Sequence, residues 1–452
     1  MRTWYVNLTL VDGTGAAPSP SSAVLVGDDG TLLEVAPGGA AEVPDGEAGV
    51  AVVDCTGLTM TPGLIDAHSH LGFATDLDAM LQREISTAEL ALDIFNVCED
   101  ALRAGFTTIR DVGGLEGAVP ELIERGKMPG PRVLTAGPIH CQTGGHGHLG
   151  GRWESTDLFE THEIPGLRTM AFLGDGPETV RRNVRETFRR GADFVKMCVT
   201  GGVLTRGTKP GDTQFTVDEI RAAVEEAEAR GTYVTVHAHN TAGVRRAVEA
   251  GVKCVEHGSN LDRETAELMA KDDVALVPTL APGVIFADKI ERLRRQGGSV
   301  AEGFAAQFDV AEQMVASMRT AVPLARDAGL LVGLGADITG PRQTERAMEL
   351  VLRAEIEDPM TVLVSATRDN ATLCRLQDRV GTVVAGLEAD LCLWSSSPLD
   401  DPDVFTQRDQ LALVLQGGRP VGGTRWAGGD TVRSEDGTSR TVVANQDGRG
   451  AE

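Results

Sequence analysis

From Gly63 onward, short apolar runs alternate with amphipathic stretches, and this alternation constrains the fold more than any other feature of the chain. The apolar runs read as strands at Leu64–His70, Phe106–Val112, Arg132–Ala136, Asp193–Val199, Tyr233–Ala238, Lys253–Glu256, Val274–Pro278 and Leu330–Ala336. Between them lie helical stretches, several closed by a glycine that can adopt the left-handed conformation of a helix stop: Gly105, Gly191, Gly231 and Gly251. Eight strand–helix alternations over roughly 280 residues predict an α/β protein built on a parallel (β/α)8 TIM-type barrel.

The flanks have a different character. Residues 1–62 carry short strands punctuated by Asp12-Gly13, Asp28-Asp29-Gly30 and Asp45-Gly46, with no helical period. Strand-like runs return at 381–383, 389–394 and 411–415. The expected organisation is a small β-sandwich domain built from both chain ends (1–62 and 379–424), a barrel over 63–378, and a polar tail, 425–452.

Of 452 residues, 41% are apolar, enough for a barrel core. With 42 basic against 66 acidic residues the net charge is −24, which disfavours nucleic acid and anionic membranes as partners. Aromatic residues, at 4%, are too few for base stacking. No apolar run approaches the ~20 residues of a membrane span. Met1 to Leu10 does not read as a signal peptide. The seven cysteines (55, 98, 141, 198, 254, 374 and 392) are scattered, odd in number and never in a C-x-x-C pair. That pattern fits reduced thiols in a cytoplasmic protein.

Chemistry-bearing residues gather at predicted strand ends. His68 and His70 stand at i and i+2, on one side of a strand, as half of a metal site. Of nine histidines (68, 70, 140, 146, 148, 162, 237, 239, 257), only His162 lies away from a strand end or the loop after one. In a parallel barrel the strand C-termini converge on the face where chemistry is done. His237 ends the fifth strand, His257 the sixth and Asp337 the eighth. Lys196, between Val195 and Met197, is costly to bury charged. It reads either as a snorkelling or ion-paired lysine, or as one carbamylated by CO2 and bridging two metal ions.

The motifs P-G-L-I-D-A-H-S-H (62–70), V-K-M (195–197), V-H-A-H (236–239), V-E-H-G (255–258) and G-A-D (335–337) occur in barrel order. In that set the chain resembles the amidohydrolase superfamily of metal-dependent hydrolases. N-L-T-L-V-D-G-T-G (7–15) and G-T-V-V-A-G-L-E-A-D-L-C-L-W (381–394) resemble the family's opening and closing segments. G-G-H-G-H (144–148) and V-K-M-C-V-T-G-G-V (195–203) are similar to the subgroup of metal-dependent dipeptidases, Xaa-Pro-type dipeptidases and the ochratoxin amidase, near the urea and thiocarbamate herbicide hydrolases. Two positions depart from that subgroup's usual pattern: His148, where Asp is common, and His239, where Tyr is common.

The resemblance implies two divalent ions, zinc by default. One would be held by His68, His70, Asp337 and an oxygen of carboxylated Lys196, the other by the second oxygen, His237 and His257. A metal-bridging hydroxide would attack a carbonyl, Asp337 would carry its proton to the leaving nitrogen, and Asp66 would orient the first strand's histidines. His146 reads as an oxyanion donor or a loop histidine, and His140 and His239 as support for the metal ligands or as substrate wall. Arg152, Arg206 and Arg342 follow active-face motifs and could pair with a substrate carboxylate, or be solvated loop charge. The expected substrate is a small dipeptide or N-acyl amino acid. A urea or carbamate hydrolase is the alternative, and a non-catalytic binding protein a further one. A homo-oligomer is expected.

Overall fold

The computed structural model describes residues 1–39, 49–76, 79, 84–149, 163–203, 205, 207–296 and 299–425. Arg152, His162, Arg206 and the tail beyond residue 425 lie outside the described residues. The chain divides into two compact units, one of residues 1–65, 101–107 and 358 onward, the other of 66–100 and 108–357.

The first unit is organised on one eight-stranded sheet. Its strand order is Arg419–Gly422, Leu411–Gln416, Leu391–Trp394, Thr59–Pro62, Arg2–Leu10, Ser19–Val26 and Leu32–Ala36, with Val50–Asp54 also pairing Arg2–Leu10. Leu391–Trp394 runs antiparallel to Thr59–Pro62, with Leu391 opposite Pro62 and Trp394 opposite Thr59. Segments over 300 residues apart in sequence thus share one ladder. Leu8, Val24, Met60, Leu391 and Leu415 are buried together beneath it, because alternate side chains of each strand project to one face.

The second unit is α/β, with parallel strands. Asp66 to Ser69, within strand Leu64–Ser69, belong to a three-stranded sheet with Phe106–Asp111 and Arg132–Thr135. A six-stranded parallel sheet follows in the order Ala171–Leu173, Ile139–Cys141, Val195–Cys198, Val234–Ala238, Cys254–His257, Ala275–Val277. The third expected strand is split: Arg132–Thr135 ends, and extension resumes only at Ile139–Cys141. Gly137, at φ 64°, and Pro138, which has no N–H to donate, separate the pieces. The eighth expected strand pairs through a parallel bridge, Leu276 to Val332, and through single hydrogen bonds, Ala67 N to Leu334 O (3.0 Å) and Asp337 N to His68 O (2.7 Å). Gly335 permits that approach, since a Cβ there would lie 2.3 Å from His68 Cβ.

Local caps start the helices that follow the site-bearing strands. Thr216 and Glu219 form a reciprocal capping box on Val217–Glu228. Asn240 accepts from Gly243 N at the start of Thr241–Ala250, which closes on left-handed Gly251. Asp262 caps Arg263–Lys271. Their apolar faces pack with Val195, Val234, Val255 and Leu276 in one buried core. The expected helix near 301–328 is longer, two helices at Ala281–Gln296 and Ser299–Asp327. Among the described residues no helix is long and apolar enough to cross a membrane. All seven cysteines are buried free thiols.

Candidate metal centre

Strand parity delivers most of the site. Asp66, His68 and His70 share one face of their strand. Asp66 accepts from His68 N (3.1 Å) and Ala336 N (3.0 Å) and receives Arg346 Nη1 at 2.9 Å, which ties the first and last site segments together. His237 is in register with Glu256, and Lys196 with Thr235. Registered residues of parallel neighbours point to the same side, so Lys196, Thr235 and His237, all of one parity, share the face that Glu256 occupies. By alternation His257 would point the other way. Its φ of 68° breaks the alternation, and Asp337 is likewise left-handed at φ 51°. Such conformations are disfavoured for residues with a side chain and concentrate at functional sites.

His68 Nε2 and His70 Nε2 each lie 3.3 Å from Asp337 Oδ1, and His257 Nδ1 lies 3.7 Å from Asp337 Oδ2. Donors about 2.1 Å from one ion at tetrahedral angles sit roughly 3.4 Å apart, so the two 3.3 Å separations from Asp337 Oδ1 fit a divalent cation. Beside it His237 and His257 stand with ring centroids 4.6 Å apart. Lys196 is buried, and its charge acts on His146, His237 and His257. His146 stacks on His237 at 4.3 Å, and its buried Nδ1 has no hydrogen-bond partner among the described residues. Glycine at 202 makes room for that ring, since a Cβ there would lie 2.4 Å from it.

A second layer fixes the imidazoles. His68 Nδ1 meets Glu256 Oε2 at 2.7 Å, His70 Nδ1 donates to Gly113 O at 2.9 Å, and His257 Nδ1 meets Thr279 Oγ1 at 2.8 Å. Glu256 is held in turn by Arg110 Nη2 at 2.6 Å and by Thr235 Oγ1. Burial works against this carboxylate, but Arg110 and His68 outweigh it and hold Glu256 well below the usual range. Asp337 is depressed in the same way, by the histidines around it. Burial pulls His237 and His257 well below the ordinary histidine value and brings His146 down to about 4. His70 moves the other way: burial opposes the shift, but the hydrogen bond and charge of Asp337 push it up. The lowered imidazoles of His237 and His257 are in the neutral form that a metal ligand requires.

Three expected residues are placed elsewhere. His140 is in register with Met197, of opposite parity to Lys196. It turns from the site, and its Nε2 meets Thr187 Oγ1, on helix Pro177–Arg189, at 3.1 Å. His148 is half-buried and its Nδ1 accepts from Gly144 N at 2.9 Å, closing its own loop. Arg342 is not open to a carboxylate: Glu345 takes its Nε (2.8 Å) and Nη2 (2.5 Å), and Asp288 takes Nη1 (3.3 Å). His239, in contrast, lies against His237 and His257, at 4.3 and 4.9 Å between ring centroids. Glu256 and Arg110 have roles that the sequence alone does not indicate. The one signal available was a pair of charged residues inside otherwise apolar strand runs.

Residues 59–421 match the amidohydrolase family. An ochratoxinase of Aspergillus niger is 29% identical over 370 residues, 80% of this chain and 75% of that protein. A prolidase solved with N-methylphosphonate-L-proline is 29% identical, with a TM-score of 0.81 over 94% of this chain and 100% of that one. A Xaa-Pro dipeptidase with methionine in its active site is 26% identical, with a TM-score of 0.80 over the same shares.

Proposed function

The chain belongs to the amidohydrolase family and is a hydrolase acting on carbon–nitrogen bonds, and from that premise we propose that it is a binuclear metal-dependent amidase of dipeptides or N-acyl amino acids. The observation that carries the reading is Asp337, equidistant at 3.3 Å from His68 Nε2 and His70 Nε2 while its other oxygen faces His257.

The fold we assign beneath it is a (β/α)8 barrel over residues 63–378, with a smaller β-domain formed by 1–62 and 379–424. In support, the 330–336 segment bonds to Leu276 on one side and to Ala67 on the other.

His68, His70 and Asp337 would hold one zinc ion and His237 and His257 another, with Lys196, carbamylated by CO2, a ligand to both. Carbamylation would turn a costly buried ammonium into an anionic ligand. When bound, such ions supply an acidified water and polarise the scissile carbonyl. Asp337 takes the proton of the attacking water and delivers it to the leaving nitrogen. His146 donates to the carbonyl oxygen as negative charge develops, an interaction worth about 3–4 kcal/mol. Glu256 and Arg110 hold His68 in one tautomer. The substrate class is supported by the prolidase and dipeptidase similarity.

A substrate panel tests this. Free-acid dipeptides and N-acyl amino acids should turn over, and amidation of the carboxylate should cut kcat/KM about ten-fold or more, the loss of one charge-assisted hydrogen bond. Equal rates on neutral ureas or anilides would instead assign the chain to urea or carbamate hydrolysis.

A further inference from the structure

We propose that His239 is a third nitrogen ligand of the second metal ion, completing a His237–His239–His257 site. The proposal rests on the metal-dependent reading above and departs from its six-residue ligand set.

Ligand-capable nitrogens of these three residues all lie within 4.8 Å of one another. The ring centroids are 4.3, 4.6 and 4.9 Å apart, and all three residues are buried. His239 is built in as firmly as the other two. Its N–H donates to Thr200 Oγ1 (3.0 Å), and its carbonyl accepts from Asn260 Nδ2 (3.0 Å).

Each ring also has one nitrogen occupied by the protein. His237 Nε2 faces Gly201 O at 3.2 Å. A carbonyl only accepts, so that nitrogen carries the proton and Nδ1 keeps the lone pair. His239 Nδ1 meets Ser259 Oγ at 3.0 Å, and His257 Nδ1 meets Thr279 Oγ1 at 2.8 Å. When those nitrogens donate to the hydroxyls, each Nε2 keeps its lone pair. Three neutral imidazoles then present three lone pairs in one buried cluster. A divalent cation satisfies all of them at once, and the hydroxyl and carbonyl partners fix the tautomers as supporting groups do at histidine metal sites.

The consequence is selectivity between the two ions. A three-nitrogen site favours zinc, cobalt or copper over manganese, whereas the His68–His70–Asp337 side, with its carboxylate, discriminates less.

The test is chelator competition on the full-length protein loaded with zinc in bicarbonate, read by elemental analysis. The visible spectrum of the cobalt-loaded protein is the second readout. His239→Phe keeps the ring's bulk without a donor atom, and His239→Asn is the smaller alternative should the first fail to fold by circular dichroism. The weaker-held or the tighter-held equivalent, whichever His237→Phe removes, should lose affinity about ten-fold or more in the His239 variants and change its cobalt absorption. The equivalent that depends on His68 should be unmoved. If both His239 variants keep wild-type affinities and spectrum while His237→Phe does not, His239 is no ligand and the two-metal reading survives. If His237→Phe and His68→Phe also leave metal binding unchanged, the metal reading itself fails.

Discussion

His68 Nδ1 lies 2.7 Å from Glu256 Oε2, a contact between a candidate metal ligand and a carboxylate on a strand 188 residues away, both fully buried. The same carboxylate takes Arg110, itself buried, at 2.6 Å. Glu256→Gln removes the charge that both partners need. We expect zinc affinity on the His68 side to fall about 10–100-fold, as when other histidine-supporting partners are lost. Stability should fall by about 3–5 kcal/mol, because the buried ion pair of Arg110 with Glu256 is broken. Chelator competition and urea unfolding measure the two effects. Wild-type values in both would remove Glu256 from the account.

Asp337→Asn should abolish nearly all turnover while the fold persists. The amide is a poor ligand and no proton carrier, yet the backbone bond from Asp337 N to His68 O does not depend on the side chain. The melting temperature, compared with matched metal content, should move little. Turnover near wild type would place the base elsewhere.

Lys196 gives a prediction about preparation. Protein made metal-free in CO2-depleted buffer should take up the second metal equivalent only after bicarbonate is added. Mass spectrometry under native conditions should show the carbamate on reloading. Lys196→Ala should lose metal affinity, with partial rescue by a short carboxylic acid supplying the missing oxygens. Full two-metal loading in the alanine variant without rescue would rule out the bridging role.

Away from the site, Glu226 binds Arg181 and Arg185 across helices Pro177–Arg189 and Val217–Glu228. The hydrogen bond from Arg185, with that from Arg181, lowers this carboxyl to about 2 against the burial that would raise it. A depressed folded-state pKa contributes stability above the unfolded value, near 4.5, that is lost as pH falls towards 2. Glu226→Gln should therefore lower the urea midpoint modestly above pH 5, by less in high salt, with the gap narrowing below pH 4.5. A gap that widens in acid would contradict the assignment.

Much of this was legible in the sequence, for identifiable reasons. A glycine such as Gly251 stops a helix because it alone takes the left-handed conformation cheaply. Two histidines two apart must share a strand face, so His68 and His70 could be placed together. Parity failed where the chain departs from regular geometry. His257 reaches Asp337 only through a positive φ that its residue type does not announce. His140 follows the break at Gly137 and Pro138, which resets the register and turns its ring towards Thr187. Glu256 and Arg110 were opaque because their partners are distant in the chain, and a charged residue inside a strand declares only that it needs a partner. Arg342 looked available although its main partner, Glu345, stands only three residues on, because sequence alone does not show that the two side chains turn towards each other; Asp288, 54 positions away, completes the enclosure.

On the proposed function, hydrolysis depends on two ions held by this cluster. The most direct test is to strip the protein of metal and titrate it with zinc in bicarbonate, following hydrolysis of a free-acid dipeptide or N-acyl amino acid at each addition. Activity should rise from near zero and level off at two equivalents per chain. Full activity in the stripped protein, or saturation at one equivalent, would contradict the binuclear account.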